Sequence, residues 1–162
     1  MCAMSNPLPR SPIEQFNAVA KKAMSLYTLT VGSTIRLLNY SENATYLIED
    51  AKKGERSILR VSRPGYHTLK ELEAELIWMK SIRENTSIIV PEPIAGNNGE
   101  YVQVCVGDDQ ITPYYCVMFT YLPGLTPDES DEPSLIEQFK ILGQITAQLH
   151  MHTLSSESHK VF

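Results

Sequence analysis

Ile58-Leu59-Arg60-Val61-Ser62 alternates apolar and polar residues with the period of a β-strand. Alternation sends Leu59 and Val61 to one face and Arg60 to the other. Taken alone, a strand arginine is most often a solvated surface charge. A short way downstream, Ala74-Glu75-Leu76-Ile77-Trp78-Met79 lies in a run of helical period whose Leu69, Leu72, Leu76 and Met79 share a face. Glu75 flanks that stripe. A helix packed on the sheet would be able to bring this carboxylate to the arginine. The guanidinium, so fixed, offers a planar fork that holds two oxygens at once, as polyphosphate groups require.

Working outward, Arg56–Ser62 is the third of three short strand-like segments, after Thr34–Tyr40 and Ala44–Asp50. Residues 41–43 make one tight link. Lys52-Lys53-Gly54-Glu55 makes the other, with Gly54 free to take positive φ. Upstream, Ser11, Pro12 and Glu14 spell a capping box with proline at the first helical position. Ile13, Phe16, Ala20, Met24 and Tyr27 continue as an apolar stripe, so a helix is expected over about 12–27. Downstream, Pro64-Gly65 ends the third strand, and a second helix is expected over about 68–82. Pro91 and Pro93 flank a short edge-like piece. Asn98-Gly99 is a hairpin signal. Tyr101–Val106 and Tyr114–Tyr121 read as strands on either side of Gly107-Asp108-Asp109, and Pro123-Gly124 follows. After an acidic loop over Asp128–Pro133, a long helix is expected over 133–153, with Leu135, Phe139, Leu142, Ile145 and Leu149 on its apolar side. The order predicts an α+β lobe with a five-stranded antiparallel sheet, an N-terminal helix and a helix inserted after the third strand.

Composition narrows the function. The chain has 162 residues, 43% hydrophobic and 20% charged, with a formal net charge of −5. That describes an ordinary globular domain, and it argues against a general nucleic-acid binder, which needs a basic surface. Cys2, Cys105 and Cys116 form no C-x-x-C, so neither a disulfide framework nor a zinc site is expected, and a cytoplasmic setting fits. No apolar run approaches a membrane span. Neither a G-x-x-x-x-G-K-[ST] loop, nor G-x-G-x-x-G, nor G-x-S-x-G occurs. His150 and His152 lie two apart and point to different sides of a helix, so they are expected as solvated or packed side chains. Asp128, Glu129, Asp131 and Glu132 lack the spacing of a calcium loop.

Together, Ser41-Glu42-Asn43-Ala44-Thr45-Tyr46, Ile58-Leu59-Arg60-Val61, Arg63-Pro64-Gly65-Tyr66, Ala74–Met79, Val90-Pro91-Glu92-Pro93, Val117–Gly124 and Ala147-Gln148-Leu149-His150 resemble the N-terminal lobe of the phosphotransferase enzyme family. That family includes aminoglycoside phosphotransferases, choline kinases and type II homoserine kinases, on a protein-kinase-like fold. The resemblance implies ATP as phosphate donor. Ser41, Glu42 and Asn43 would form the turn over the phosphates, where exposed backbone N–H groups serve without a glycine-rich loop. Arg60 would be the nucleotide-positioning cation and Glu75 its helix partner. Thr120 and Leu122 would present backbone groups to the adenine edge, and Phe119 would line the pocket. The implied domains are a loose tail over 1–11, a nucleotide-binding lobe over 12–122, a hinge and acidic linker over 123–132, and the start of a C-terminal lobe over 133–162.

The sequence departs from that family in one respect. Nothing after Leu149 matches its catalytic loop, in which an aspartate follows a histidine and an asparagine comes about five residues later, or its acidic magnesium-binding motif. His159-Lys160-Val161 supplies no acid. No catalytic residue and no metal ligand is therefore assigned, although the family implies Mg2+. Two readings stand: the nucleotide-binding lobe of an ATP-dependent small-molecule kinase, inactive alone, or a non-enzymatic nucleotide-binding or protein-interaction module derived from one. A plain α+β domain with no nucleotide site is a third. The acceptor is open. With no C-terminal lobe to cover it, the 133–153 helix is expected to self-associate or to fold back onto its own lobe.

Overall fold

The computed structural model describes residues 11–125, 127 and 130–155. The expected tail before Ser11, Asp128 and Glu129 of the acidic loop, and His159-Lys160-Val161 lie outside them. The chain divides into two compact units, one formed by residues up to 69 with 93–120, the other by 70–92 with the residues after 120.

The first unit begins with α1 (Pro12–Met24). The capping box forms as expected: the Glu14 carboxylate accepts from the Ser11 N–H at 2.8 Å and from its hydroxyl at 2.9 Å. The helix ends three residues before the expected Tyr27. There Ser25 donates its hydroxyl to the Lys22 carbonyl at 2.7 Å and its N–H to the same oxygen at 3.1 Å. A serine that satisfies an orphan carbonyl in this way stops the helix. Phe16, Val19, Ala20 and Ala23 form its buried face.

That face packs on a six-stranded sheet in the order β1-β2-β3-β6-β4, with β5 also paired to β6. The strands are β1 (Thr34–Tyr40), β2 (Asn43–Glu49), β3 (Arg56–Ser62), β4 (Pro93–Ile94), β5 (Val102–Val106) and β6 (Pro113–Thr120). Every pairing is antiparallel. The core on the α1 side joins the helix to Ala44, Tyr46, Ile48, Leu59, Val61, Cys116 and Met118. Phe16 meets Tyr40 and Tyr114 edge-on at centroid distances of 5.3 and 5.5 Å. Such pairs contribute about 0.5–1.5 kcal/mol beyond their buried area. Tyr46 crosses the core to donate to Asn17 at 2.9 Å, and burial pushes its hydroxyl pKa up to about 12.

Two features of the sheet differ from the sequence expectation. β1 carries a bulge: Leu37 opposes Tyr46 while Asn39 opposes Thr45, so Leu38 has no partner. The extra residue keeps both Leu37 and Tyr40 on the α1 side just before the turn. The second difference is a sixth strand. The edge-like piece at Pro93–Ile94 opposes Phe119 and Met118 of β6, and Val102 resumes at the next position, opposite Val117. β4 and β5 are thus one edge strand interrupted by residues 95–101. Asn98-Gly99 turns that loop rather than joining two strands that pair with each other. Gly99 takes φ +85°, and the Gly96 N–H bonds to the Glu100 carbonyl at 2.9 Å. The loop is pinned to the end of α1 by Asn97, whose N–H donates to the Leu26 carbonyl at 2.8 Å.

The turn after β2 is held by Asp50. Its carboxylate accepts from the Thr30 hydroxyl and N–H and from the N–H groups of Lys52 and Lys53, at 2.6–3.0 Å. These bonds hold its pKa far below the ordinary carboxylate value. Gly54 completes the turn at φ +65°.

The second unit contains α2 (Leu69–Asn85), apart from its first residue, and α3 (Glu132–Ser155). Leu72, Leu76 and Ile82 are buried on α2. α3 begins one residue before and ends two after the expected 133–153. His152 is buried, with Nε2 3.1 Å from the Ser81 hydroxyl, whereas His150 is exposed. The histidine pair is thus one packed and one solvated side chain. No helix among the described residues is long and apolar enough to cross a membrane.

Candidate functional site

Strand parity sorts the sheet into two unlike faces. Leu59, Val61, Tyr46 and Met118 go to α1. The opposite face is assembled from register pairs: Asn43 with Ser62, Thr45 with Arg60, Leu47 with Ile58. β6 adds Val117 opposite Arg60 and Phe119 opposite Ile58. This face therefore runs from Asn43 and Ser62 beside the β1–β2 turn, through Arg60, to an apolar stretch at Leu47, Ile58 and Phe119, and is charged again at the exposed pair Glu49 and Arg56. Val117, Phe119 and Leu47 are buried, and Arg60 is half-buried.

Arg60 is a half-buried charge on this face, whereas Arg36, Glu49 and Arg56, of the same parity, are exposed. Its guanidinium carbon lies 5.2 Å from the centroid of the Phe119 ring. Stacking on an aromatic face is a preferred arrangement for arginine, less available to lysine. Two sequence-derived site residues, Arg60 and Phe119, are thus brought together.

Ser41 and Glu42 form the turn that leads into β2, closed by the Ser41 N–H on the Asn43 carbonyl at 3.0 Å. Both are exposed. The Glu42 carboxylate lies 3.5 Å from Arg63 Nη1. Arg63 received no role from the sequence, although it stands in the Arg63-Pro64-Gly65-Tyr66 segment. It places a cation beside a carboxylate that would otherwise oppose an anion. The pair is solvated, so its worth to stability is small.

Asn43 opens β2 on the Arg60 face. Its Oδ1 is buried and accepts no hydrogen bond, and the same holds for the hydroxyl of Ser62 across the strand pair. Ser62 is 1% exposed. Sequence reasoning passed over Ser62. The available signal was its parity with Arg60, two residues before it on the same strand.

Thr120 is the last residue of β6, opposite Ser57. Glu75 stands on α2, and Leu122 follows β6 with 41% of its surface exposed. Both belong to the second unit. Cys105 and Cys116 are buried on the α1 side, away from this face, and a hydrogen bond with Cys105, reinforced by burial, pushes the Cys116 thiol pKa up. Cys2 lies outside the described residues. Among those residues, no group of three or more His, Cys, Asp or Glu is placed to hold a metal ion.

A family model described as "Phosphotransferase enzyme family" matches residues 34–158. Among solved structures, the microcompartment-associated aminopropanol kinase shares 37% identity, with a TM-score of 0.70 over 84% of this chain and 40% of its own. An amicoumacin kinase solved with AMP-PNP, Ca2+ and Ami shares 23% identity, with a TM-score of 0.60 over 71% of this chain and 33% of its own. The chain thus spans two fifths of the first and a third of the second. No curated protein matches it. The α+β lobe of a protein-kinase-like fold expected from the sequence is the fold observed.

Proposed function

Because the chain belongs to the phosphotransferase enzyme family, we propose that its sheet face is the nucleotide-binding surface of an ATP-dependent small-molecule kinase. One observation carries this reading: the buried middle of the face passes from Asn43 and Ser62 beside the Ser41-Glu42 turn, through Arg60, to an apolar stretch at Phe119, Ile58 and Leu47, short of the exposed Glu49 and Arg56. A nucleoside triphosphate has the same gradient, from phosphates to an aromatic base. The orphaned Asn43 and Ser62 atoms at the polar end fit a polar ligand there.

In this assignment Arg60 holds phosphate oxygens in its fork, and Phe119 fixes the plane of the guanidinium while lining the base pocket. Backbone N–H groups of the 41–43 turn cover the phosphates, and backbone groups of Thr120 and Leu122 meet the adenine edge. Glu75 is the proposed partner of Arg60. A divalent metal, when bound, supplies charge neutralisation between the phosphates. The γ-phosphoryl group goes to an acceptor hydroxyl, and the identity shared with an aminopropanol kinase makes small amino alcohols the first acceptors to test.

This sequence contains no H-x-D-x-x-x-x-N segment. The 162-residue chain alone is therefore proposed to bind nucleotide without turnover, as a cytoplasmic lobe whose 133–153 helix self-associates. Isothermal titration with ATP is the test. The wild type binds, and Arg60→Met, which removes a charge-assisted fork worth about 1.5–3 kcal/mol, binds about 10- to 100-fold more weakly. Equal affinities would remove Arg60 from the site. Binding without transfer to any acceptor, even in the presence of a complementing C-terminal lobe, would favour the non-enzymatic module.

A further inference from the structure

Resting on the nucleotide reading, the structure assigns Ser62 to the same site: we propose that Ser62 and Asn43 together hold a water molecule that presents a proton to the nucleotide's phosphates. The two residues oppose each other at the end of the β2–β3 ladder, on the face that carries Arg60. The Ser62 hydroxyl and Asn43 Oδ1 are both buried without a hydrogen-bond partner. A buried polar atom left in this condition costs free energy, and native folds tolerate few of them unless a water or ligand completes the set.

The chemistry of the pair selects the occupant. Asn43 Oδ1 only accepts, and it repels a bare phosphate oxygen. Ser62 Oγ both donates and accepts. A water accepts from Ser62, donates one proton to Asn43, and keeps its second proton for an anion. Water needs two to four polar partners to reside in a protein interior, and the pair with one phosphate oxygen supplies three. The neighbouring cross-strand pair, Thr45 with Arg60, lies between this corner and the apolar stretch at Leu47 and Ile58. The water therefore sits at the phosphate end.

The test measures ATP and adenosine affinity by titration calorimetry for the wild type, Ser62→Ala and Asn43→Asp. Ser62→Ala deletes a hydroxyl that makes no hydrogen bond within the protein, so the free protein melts close to the wild type. It binds ATP about three- to tenfold more weakly, the range for one lost hydrogen bond, and binds adenosine as the wild type does. Asn43→Asp puts a negative charge in the corner and weakens ATP by a larger factor, again sparing adenosine. If both variants keep wild-type ATP affinity, the inference is wrong. If adenosine weakens equally, the effect is on the fold and the inference is again wrong. A wild type that binds neither ligand overturns the nucleotide reading itself. Should Ser62→Ala not fold, Asn43→Asp, at a partly exposed position, decides the matter.

Discussion

Arg60 owes its proposed role to parity: its neighbours Leu59 and Val61 are fully buried on the α1 side, so its own side chain leaves by the other face. The proposed partnership with Glu75 gives a first prediction. In a double-mutant cycle on ATP affinity, Arg60→Met and Glu75→Gln each weaken binding, and the double variant is no worse than Arg60→Met. Additive losses would show that Glu75 does not act through Arg60. Asp50 gives a second. A carboxylate whose pKa is depressed in the fold stabilises above its ordinary value of about 4 and loses that contribution as the pH falls. The wild type therefore loses stability on acidification below about pH 4. Asp50→Asn is less stable at neutral pH, and its acid unfolding limb is flatter. Parallel acid limbs for the two proteins, followed by circular dichroism, would contradict this. Such residues differ in legibility. The face Arg60 occupies could be read from alternation. Asp50 could not, because its bonds to Thr30 join segments that only the fold brings together.

At the scale of elements, local signals were legible and pairing partners were not. Ser11, Pro12 and Glu14 announce the start of α1 because a capping box satisfies its own donors within four residues. Asn98-Gly99 announces a turn equally well, and Gly99 does take positive φ. A turn signal says only that the chain reverses there; here the flanking segments both pair with β6. The Leu38 bulge was invisible for a related reason. It depends on Tyr40 reaching Phe16, a contact distant in sequence. The 95–101 loop yields a third prediction. A Cβ on Gly96 would lie 2.5 Å from Gln103 Nε2, the amide that donates to Asn98 Oδ1 and to the Glu100 carbonyl. Gly96→Ala therefore displaces Gln103 and costs about 1–3 kcal/mol of unfolding free energy in urea, as overpacking of a closed site does. An unchanged midpoint would mean that the loop yields freely.

For the whole molecule, the resemblance carried more than the residues alone did. Composition argued against a general nucleic-acid binder, yet many α+β domains share such statistics, and only the ordered motifs from Ser41 to His150 singled out the phosphotransferase family. α3 raises the question of association. Ile136, Phe139, Ile141, Leu142, Met151 and Leu154 are exposed along it. Under the self-association proposal, light scattering finds the wild type dimeric and Leu142→Asp a folded monomer. A monomeric wild type ends that proposal. The central claim, that the Arg60 face of the sheet is the nucleotide surface, is tested most directly by amide chemical-shift mapping during an ATP titration. The account predicts shifts concentrated on residues 41–45, 58–62 and 117–122, with α1 undisturbed. Shifts centred on α1, or none at millimolar ATP, would contradict it.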